Sequence, residues 1–191
     1  MPDNAPEDDF AQHFWEQQAE KLDWQHPFQR VVESIDGGPR YRWFSGSYTS
    51  ICHNALDRHL AERGDKTAII HRDYQGLTQR LSYRELWLQV NALSCLMSAW
   101  GIRQGDRVLI VLPVMPLAVA AMLACSRLAA VPVVVYSSVS SDALSQRIRA
   151  CQPSFVLFHR ERRGRDSLPD LPSAGPGLRV PDPASAAFRQ Q

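Results

Sequence analysis

This sequence predicts an α/β fold built on a partial parallel sheet over the stretch Leu81 to Phe158, and three observations carry that reading. Val108 to Leu112, Val131 to Tyr136 and Phe155 to Phe158 are apolar blocks of strand length. The segments between them are long enough for one helix each, which is the signature of βαβ units rather than of hairpins. Ser82 followed by Glu85 is a capping box, and it opens a long amphipathic run just ahead of the first block. The predicted order is strand or turn, helix, strand, helix, strand, helix, strand. Parallel sheets of this kind are expected to be buried on both faces and to bind ligands beyond the carboxyl ends of their strands.

The amphipathic run from Ser82 buries Leu86, Val90, Leu93, Met97 and Trp100, at steps of four, three, four and three. Gly101 stands where a left-handed helix cap belongs, and Gly105-Asp106 is a tight turn into the Val108 strand. Pro116 suits the first turn of the next helix, whose many alanines give it a small face for close packing on a sheet. Ser140 or Ser141 caps the last helix, with Leu144, Ile148 and Cys151 inward, and Pro153 punctuates its end.

Upstream, residues 1–9 form a polar lead expected to be disordered. Phe10 to Leu22 has helical spacing, with Phe10, Phe14, Gln18 and Leu22 on one face. Asp23 to Phe44 holds Trp24, Phe28, Tyr41, Trp43 and Phe44 with weak periodicity and reads as an extended, aromatic-anchored arm. A helix is expected from Thr49 or Ser50 to a stop at Gly64, then a short strand at Ala68 to Ile70, a turn around Gly76 and a returning strand at Arg80-Leu81. Residues 10–64 thus form a helical and aromatic cap segment, and 65–159 the sheet domain. Residues 160–191 are first basic and then rich in Pro, Ala and Ser, and are expected to be disordered.

Composition narrows the function classes. The 191 residues are 45% hydrophobic and 21% charged with a formal net charge of +1, so nothing favours nucleic acid or an anionic membrane as partner. The most apolar stretch, Val108 to Ala124, is divided by Pro113 and Pro116 and is rejected as a membrane span. Asp3, Glu7, Asp8 and Asp9 argue against a secretory or transit leader, and the expected location is the cytoplasm. Cys52, Cys95, Cys125 and Cys151 are scattered and are expected as reduced thiols.

Little catalytic chemistry is written in the residues. There is no G-x-G-x-x-G and no G-x-x-x-x-G-K-[ST] to cradle a phosphate, and no G-x-S-x-G elbow. His53 and His59 stand six apart, on opposite sides of a continuous helix, so no metal site is expected. Tyr83 and Glu85 are first-turn residues of a capped helix rather than an acid and base. Ser137 to Ser141 is either a plain capped turn or an anion contact built from hydroxyls and helix amides. The basic cluster Arg160 to Arg165 is either a solvated face or a grip on a phosphate-bearing ligand.

A family resemblance adds to this. Phe14-Trp15, Leu22-Asp23-Trp24, Pro27-Phe28, Arg42-Trp43-Phe44 and the string Cys52 to His59 resemble the N-terminal cap of the AMP-forming acetyl- and propionyl-CoA synthetases. Leu81 to Leu86, Gly101-Ile102, Gly105 to Val108, Met115-Pro116, Ala121 to Arg127 and Ser140 to Ile148 continue the likeness in order, over about Phe10 to Phe158. The resemblance implies the first part of an adenylate-forming domain. Its enzymes use Mg-ATP to adenylate a short carboxylic acid, release pyrophosphate and pass the acyl group to CoA.

It also implies what to look for. The family's Ser/Thr/Gly-rich phosphate loop ending in Gly-Lys-Pro-Lys, its adenine and ribose sites and its adenylating lysine have no match in these 191 residues. No catalytic residue is therefore assigned, no cofactor is expected for the chain alone, and a chain inactive by itself is expected. The family's CoA contacts imply Ser137 and Ser138, which stand where the family has a glycine pair, and Arg162 and Arg165 of its Arg-x-Gly-Arg patch. Ala129 and Pro132 stand where the family has a glycine and a histidine. The partners this implies are CoA, a full-length synthetase on which the chain docks as a non-catalytic module, or a second copy of the chain.

Overall fold

The computed structural model describes residues 9–35 and 40–158, which fall into two compact units, Met1–Arg58 and His59–Gln191. The expected disorder of residues 1–9 and 160–191 falls, but for Asp9, outside the described residues.

The first unit holds α1 (Asp9–Ala19), the strands β1 (Arg30–Ile35) and β2 (Arg40–Ser45), and α2 (Ile51–Ala55). Helix α1 stops three residues short of the expected Leu22, because the Trp24 indole Nε1–H donates to the Ala19 carbonyl at 2.8 Å and turns the chain. Ala19 is the buried residue of this helix, while Phe14 and Leu22 stay exposed. The aromatic segment expected as an arm is an antiparallel pair, with Val32 opposite Trp43 and Ser34 opposite Tyr41. Charged residues on both strands, Arg30, Glu33, Arg40 and Arg42, hid the alternation. Trp24, Phe28 and Phe44 close into a triangle with ring centroids 5.4 to 5.5 Å apart. Beside it, Trp15 meets Trp43 edge-on at 5.7 Å.

The helix expected from Ser50 to Gly64 is three pieces: α2, a 3₁₀ turn at Asp57–His59, and α3 (Leu60–Arg63). Ser50 is the N-cap, accepting from the His53 amide at 3.2 Å. Gly64 is not a left-handed stop, since its φ is −50°. It is there for room: a Cβ would stand 2.6 Å from both the Leu60 carbonyl oxygen and the Arg84 guanidinium.

In the second unit, β3 (Thr67–Arg72) and β4 (Thr78–Ser82) form a hairpin. Its turn is tied by the Asp73 carboxylate, which accepts the amides of Gln75 and Leu77 at 2.9 Å each. Then follow α4 (Tyr83–Ala99), β5 (Arg107–Leu112), α5 (Pro116–Arg127), β6 (Val131–Tyr136), α6 (Ser141–Cys151) and β7 (Phe155–Phe158). The order of strands in the parallel sheet is β6-β5-β7. Helix α4 buries Leu86, Val90, Leu93 and Met97 as the spacing predicts, but Trp100, expected in the same stripe, is the half-buried C-cap beyond the helix; Gly101 (φ 90°) takes the expected left-handed cap and Gly105 (φ 83°) lies in the expected tight turn.

On one face of the sheet Leu109, Val135 and Val156 pack with Leu144 and Ile148 of α6. Val108, Ile110 and Leu112 alternate to the other face, where α5 lies on β5 through its small residues Ala120, Ala121 and Ala124. Coverage is less complete than expected. Strand β6 is an edge, as Pro132 within it allows, and it leaves Val131 and Val134 about half exposed, at 48% and 52%.

Candidate functional site

The registers bring the carboxyl ends of the three parallel strands level. Leu112 pairs with Tyr136, and Val111 with Phe158. The loops after β5 and β6 therefore rise from adjacent points on one rim, about 5 Å apart. After β5 comes Pro113-Val114-Met115, with Val114 largely exposed, and α5 begins at Pro116 in its first turn. After β6 come Ser137 and Ser138, both exposed, in a turn closed by the Val139 amide donating to the Tyr136 carbonyl at 3.2 Å. Tyr136 itself is 76% exposed at the rim.

Ser140 is the cap of α6. Its hydroxyl accepts the Ala143 amide at 3.3 Å, so this serine spends its oxygen on the helix. Ser137 and Ser138 are not held by the cap, and neither has a left-handed φ. Serine side chains thus sit without backbone strain where the resemblance implies a glycine pair. Arg162 and Arg165 lie outside the described residues.

The opposite rim is a structural clamp that sequence reading missed. The Arg107 guanidinium donates to the carbonyls of Cys151 and Gln152, the Gln152 contact from Nη2 being 3.0 Å. A cation is thereby set at the negative end of the α6 dipole. Asp106 accepts from the Arg103 amide at 2.7 Å and from the Ser154 hydroxyl at 3.1 Å. The Gly105-Asp106-Arg107 sequence signalled a turn, but not that it reaches across to a helix end more than forty residues on.

The remaining candidates have structural partners. His53 Nε2 lies 3.0 Å from Asp23 Oδ2, and the His59 ring stands edge-on to Tyr83 at 5.7 Å. These histidines sit in separate helical pieces, so their separation no longer rests on helical phase. Among the described residues no group of His, Cys, Asp or Glu is arranged to hold a metal ion. All four cysteines are free thiols, and burial pushes Cys125 up to about 12, far from a reactive thiolate. Among the described residues no helix is long and apolar enough to cross a membrane.

Glu85 completes the capping box: its Oε2 accepts the Ser82 amide at 2.7 Å and the Ser82 hydroxyl at 2.9 Å. Those bonds, the amide's first, hold its carboxyl below the ordinary 4.5. Because the folded-state value is the lower one, the contribution of Glu85 is present above that pH and is lost as pH falls through the folded value. Ser82→Ala is expected to cost about 1 kcal/mol at neutral pH. It should flatten only part of the stability loss of the wild type below pH 4.5, because the amide of residue 82 still donates to Glu85, as read from urea midpoints between neutral and acid pH.

Ala129, where the resemblance implies a glycine, has φ 53°. A Cβ in the left-handed region costs about 1–2 kcal/mol. Ala129→Gly is therefore expected to stabilise the chain by about 1 kcal/mol, after the entropy that glycine adds to the unfolded state. A lower urea midpoint for this variant would contradict the assignment of strain.

Two family models match the chain in tandem: "Acetyl-coenzyme A synthetase N-terminus" over residues 8–55, and "AMP-binding enzyme" over residues 56–185. The chain belongs to the AMP-binding enzyme family. It is 42% identical over 159 residues to acetyl-coenzyme A synthetase of Syntrophus aciditrophicus (strain SB), covering 82% of this chain and 25% of that protein. It is 40% identical over 159 residues to the acetyl-coenzyme A synthetase of Mesorhizobium japonicum, covering 82% and 24%. Among solved structures, acetoacetyl-CoA synthetase from Streptomyces lividans matches with a TM-score of 0.72 and 27% identity, over 78% of this chain and 23% of that one. The chain thus carries the N-terminal region of an AMP-forming acyl-CoA synthetase, and it spans about a quarter of the length of the relatives it matches.

Proposed function

We propose that this chain is the N-terminal scaffold of a short-chain acyl-CoA synthetase whose acid is acetate or propionate. The reaction it serves joins that acid to CoA, converting ATP to AMP and pyrophosphate. The observation that carries the reading is the tandem match, in which the N-terminal cap and the opening of the AMP-binding domain follow one another as in the acetyl-coenzyme A synthetases.

Within that reaction the chain provides position, not chemistry. On this reading the Ser137-Ser138 turn donates its hydroxyls to the phosphate-bearing end of CoA, and its exposure beyond the level strand ends supports that role. The basic run containing Arg162 and Arg165 supplies the charge for the same contact. ATP and Mg²⁺ are needed by the reaction, but no phosphate loop in these residues takes them. The chain alone is therefore inactive as a ligase.

A graft tests this. Residues 10–158 should replace the matching N-terminal quarter of the Syntrophus aciditrophicus enzyme and leave acetyl-CoA formation measurable, whereas the chain by itself forms none. A folded graft with no activity would count against the scaffold role. A second reading, a non-catalytic module docking on an intact synthetase, draws support from the half-exposed β6 edge. Co-purification with such a synthetase, lost on Val134→Glu, would favour it.

A further inference from the structure

The outer side of strand β6 carries a particular set of hydrogen-bonding groups. The Val131 amide donates to the Asp106 carbonyl at 2.8 Å, and the parallel register with β5 runs unbroken from Val131 to Tyr136. The backbone groups of a strand alternate in direction, so Val131, Val133 and Val135 face β5, while Pro132, Val134 and Tyr136 face away from it. Among the described residues no strand pairs on that outer side. It presents the amides of Val134 and Tyr136 and the carbonyls of Pro132 and Val134. Pro132 has no N–H to give. The Tyr136 carbonyl already accepts the Val139 amide at 3.2 Å. Exposed edges are ordinarily defended by charged side chains. None occurs between Leu128 and Ser141, and Val134 and Tyr136, which share one face, are 52% and 76% exposed.

We propose that β6 pairs antiparallel with β6 of a second copy about a two-fold axis at Val134, joining two three-stranded sheets into one of six strands. The outward groups single out this partner and this register. Val134 exchanges both of its bonds with the second copy's Val134. Two residues along, the Tyr136 amide donates to the second copy's Pro132 carbonyl, and the symmetric bond forms on the other side of the axis. The bond this ladder lacks would run from residue 132 to the Tyr136 carbonyl. Its donor is missing from proline, and its acceptor is already taken by the Val139 amide. Each outward amide therefore meets a carbonyl, and no carbonyl is stranded.

Neighbouring registers are poorer. Sliding the copies by two residues one way aims the Val134 amide at the occupied Tyr136 carbonyl. Sliding them the other way sets the Val134 carbonyl against Pro132, which has no amide to offer. An unrelated strand would need a matching gap at the matching place, whereas a second copy carries it by symmetry. The side chains agree with the backbone. The two Val134 side chains adjoin across the axis, and each Tyr136 ring lies beside the second copy's Pro132, so the exposed face of the edge is covered as well. Self-pairing needs nothing from a synthetase and so stands apart from the scaffold role.

One six-residue strand per copy is a small interface of the weak, transient class, so sedimentation velocity of the full chain over about 10–500 µM should show a monomer–dimer equilibrium. Val134→Glu and Val134→Lys should each weaken it at least about tenfold, since like charges then meet at the axis. Both should keep the circular dichroism spectrum of the unaltered chain, because the side chain is half exposed. Mixed in equal amounts, the two variants should dimerise again, which requires residue 134 to face its own copy. Independently of charge, Val134→Cys in a Cys95→Ser background should form an intermolecular disulfide on mild oxidation, since the Cα atoms of such a pair stand about 5.5 Å apart. Leu88→Glu, on α4, should leave the dimer intact. A chain monomeric throughout, oligomers that grow beyond the dimer, a dimer untouched by Val134→Glu, charge variants that stay monomeric when mixed, or no disulfide at position 134 would each overturn the proposal.

Discussion

Phe155→Ala is expected to cost about 3–5 kcal/mol, which in a domain of ordinary stability leaves the sheet unit close to unfolding. Phe155 is the largest of the fully buried side chains, at 1% exposure. It stands at the first rung of the β5–β7 pairing, opposite Val108, and its ring stacks on Trp100 with centroids 5.2 Å apart and planes 20° from parallel. Truncation removes the ring from both partners at once. The strand pairing and the C-terminal turn of α4 both depend on that site, so the cavity has little freedom to collapse. Urea unfolding followed by tryptophan fluorescence should show the midpoint displaced accordingly. Phe155→Leu should recover most of the loss, whereas Phe14→Ala, at a 44% exposed position, should cost less than about 1 kcal/mol. A Phe155→Ala midpoint within error of wild type would refute the placement of this core.

Asn54→Ala is the second large effect, about 2 kcal/mol, and it acts on the other unit. The Asn54 Oδ1 accepts the Asp23 amide and an Arg58 N–H, both at 2.8 Å. Its Nδ2 donates to the Asp23 carbonyl at 3.0 Å, to the Thr49 hydroxyl at 2.9 Å and to the Ser50 carbonyl at 3.3 Å. One side chain thus ties the segment after α1 to the start of α2; alanine deprives the Asp23 amide of its acceptor, while the Asp23 and Ser50 carbonyls keep the Thr49 hydroxyl and the residue-54 amide as donors. The Asp23 carboxylate, 3.0 Å from His53 and 3.4 Å from Arg58, remains but loses its registration. Hydrogen exchange should show protection falling around Asp23 and α2 while the β5–β7 amides stay as protected as before. Asn54→Asp keeps the acceptor and gives up the donors, so it should fall between the two.

The sheet was legible in the sequence because its signals agree with one another. The capping box at Ser82, the four-three spacing of α4, the turns at Gly101 and Gly105 and three uninterrupted apolar blocks all point to the same elements, and each formed where expected. The β1–β2 pair was not legible, because alternation is broken by Arg30, Glu33, Arg40 and Arg42, and the apolar contacts come from aromatic rings meeting across distant positions. The long helix expected after Ser50 fails at Leu56, whose burial turns the chain; periodicity counts apolar positions but does not see such a break. At the rim, the sequence located Ser137 and Ser138. Ser140, one of the two serines offered as the cap of the last helix, is that cap, whereas the left-handed conformation of Ala129 is a fact of the backbone that no motif announces.

We propose that these residues form the scaffold of an acyl-CoA synthetase without its nucleotide chemistry. Acetate- or propionate-dependent ATP–pyrophosphate exchange, measured on the purified 191-residue chain with Mg²⁺, tests it most directly. Exchange indistinguishable from a protein-free control is the predicted result. Acid-dependent exchange that scales with the concentration of the chain would contradict it.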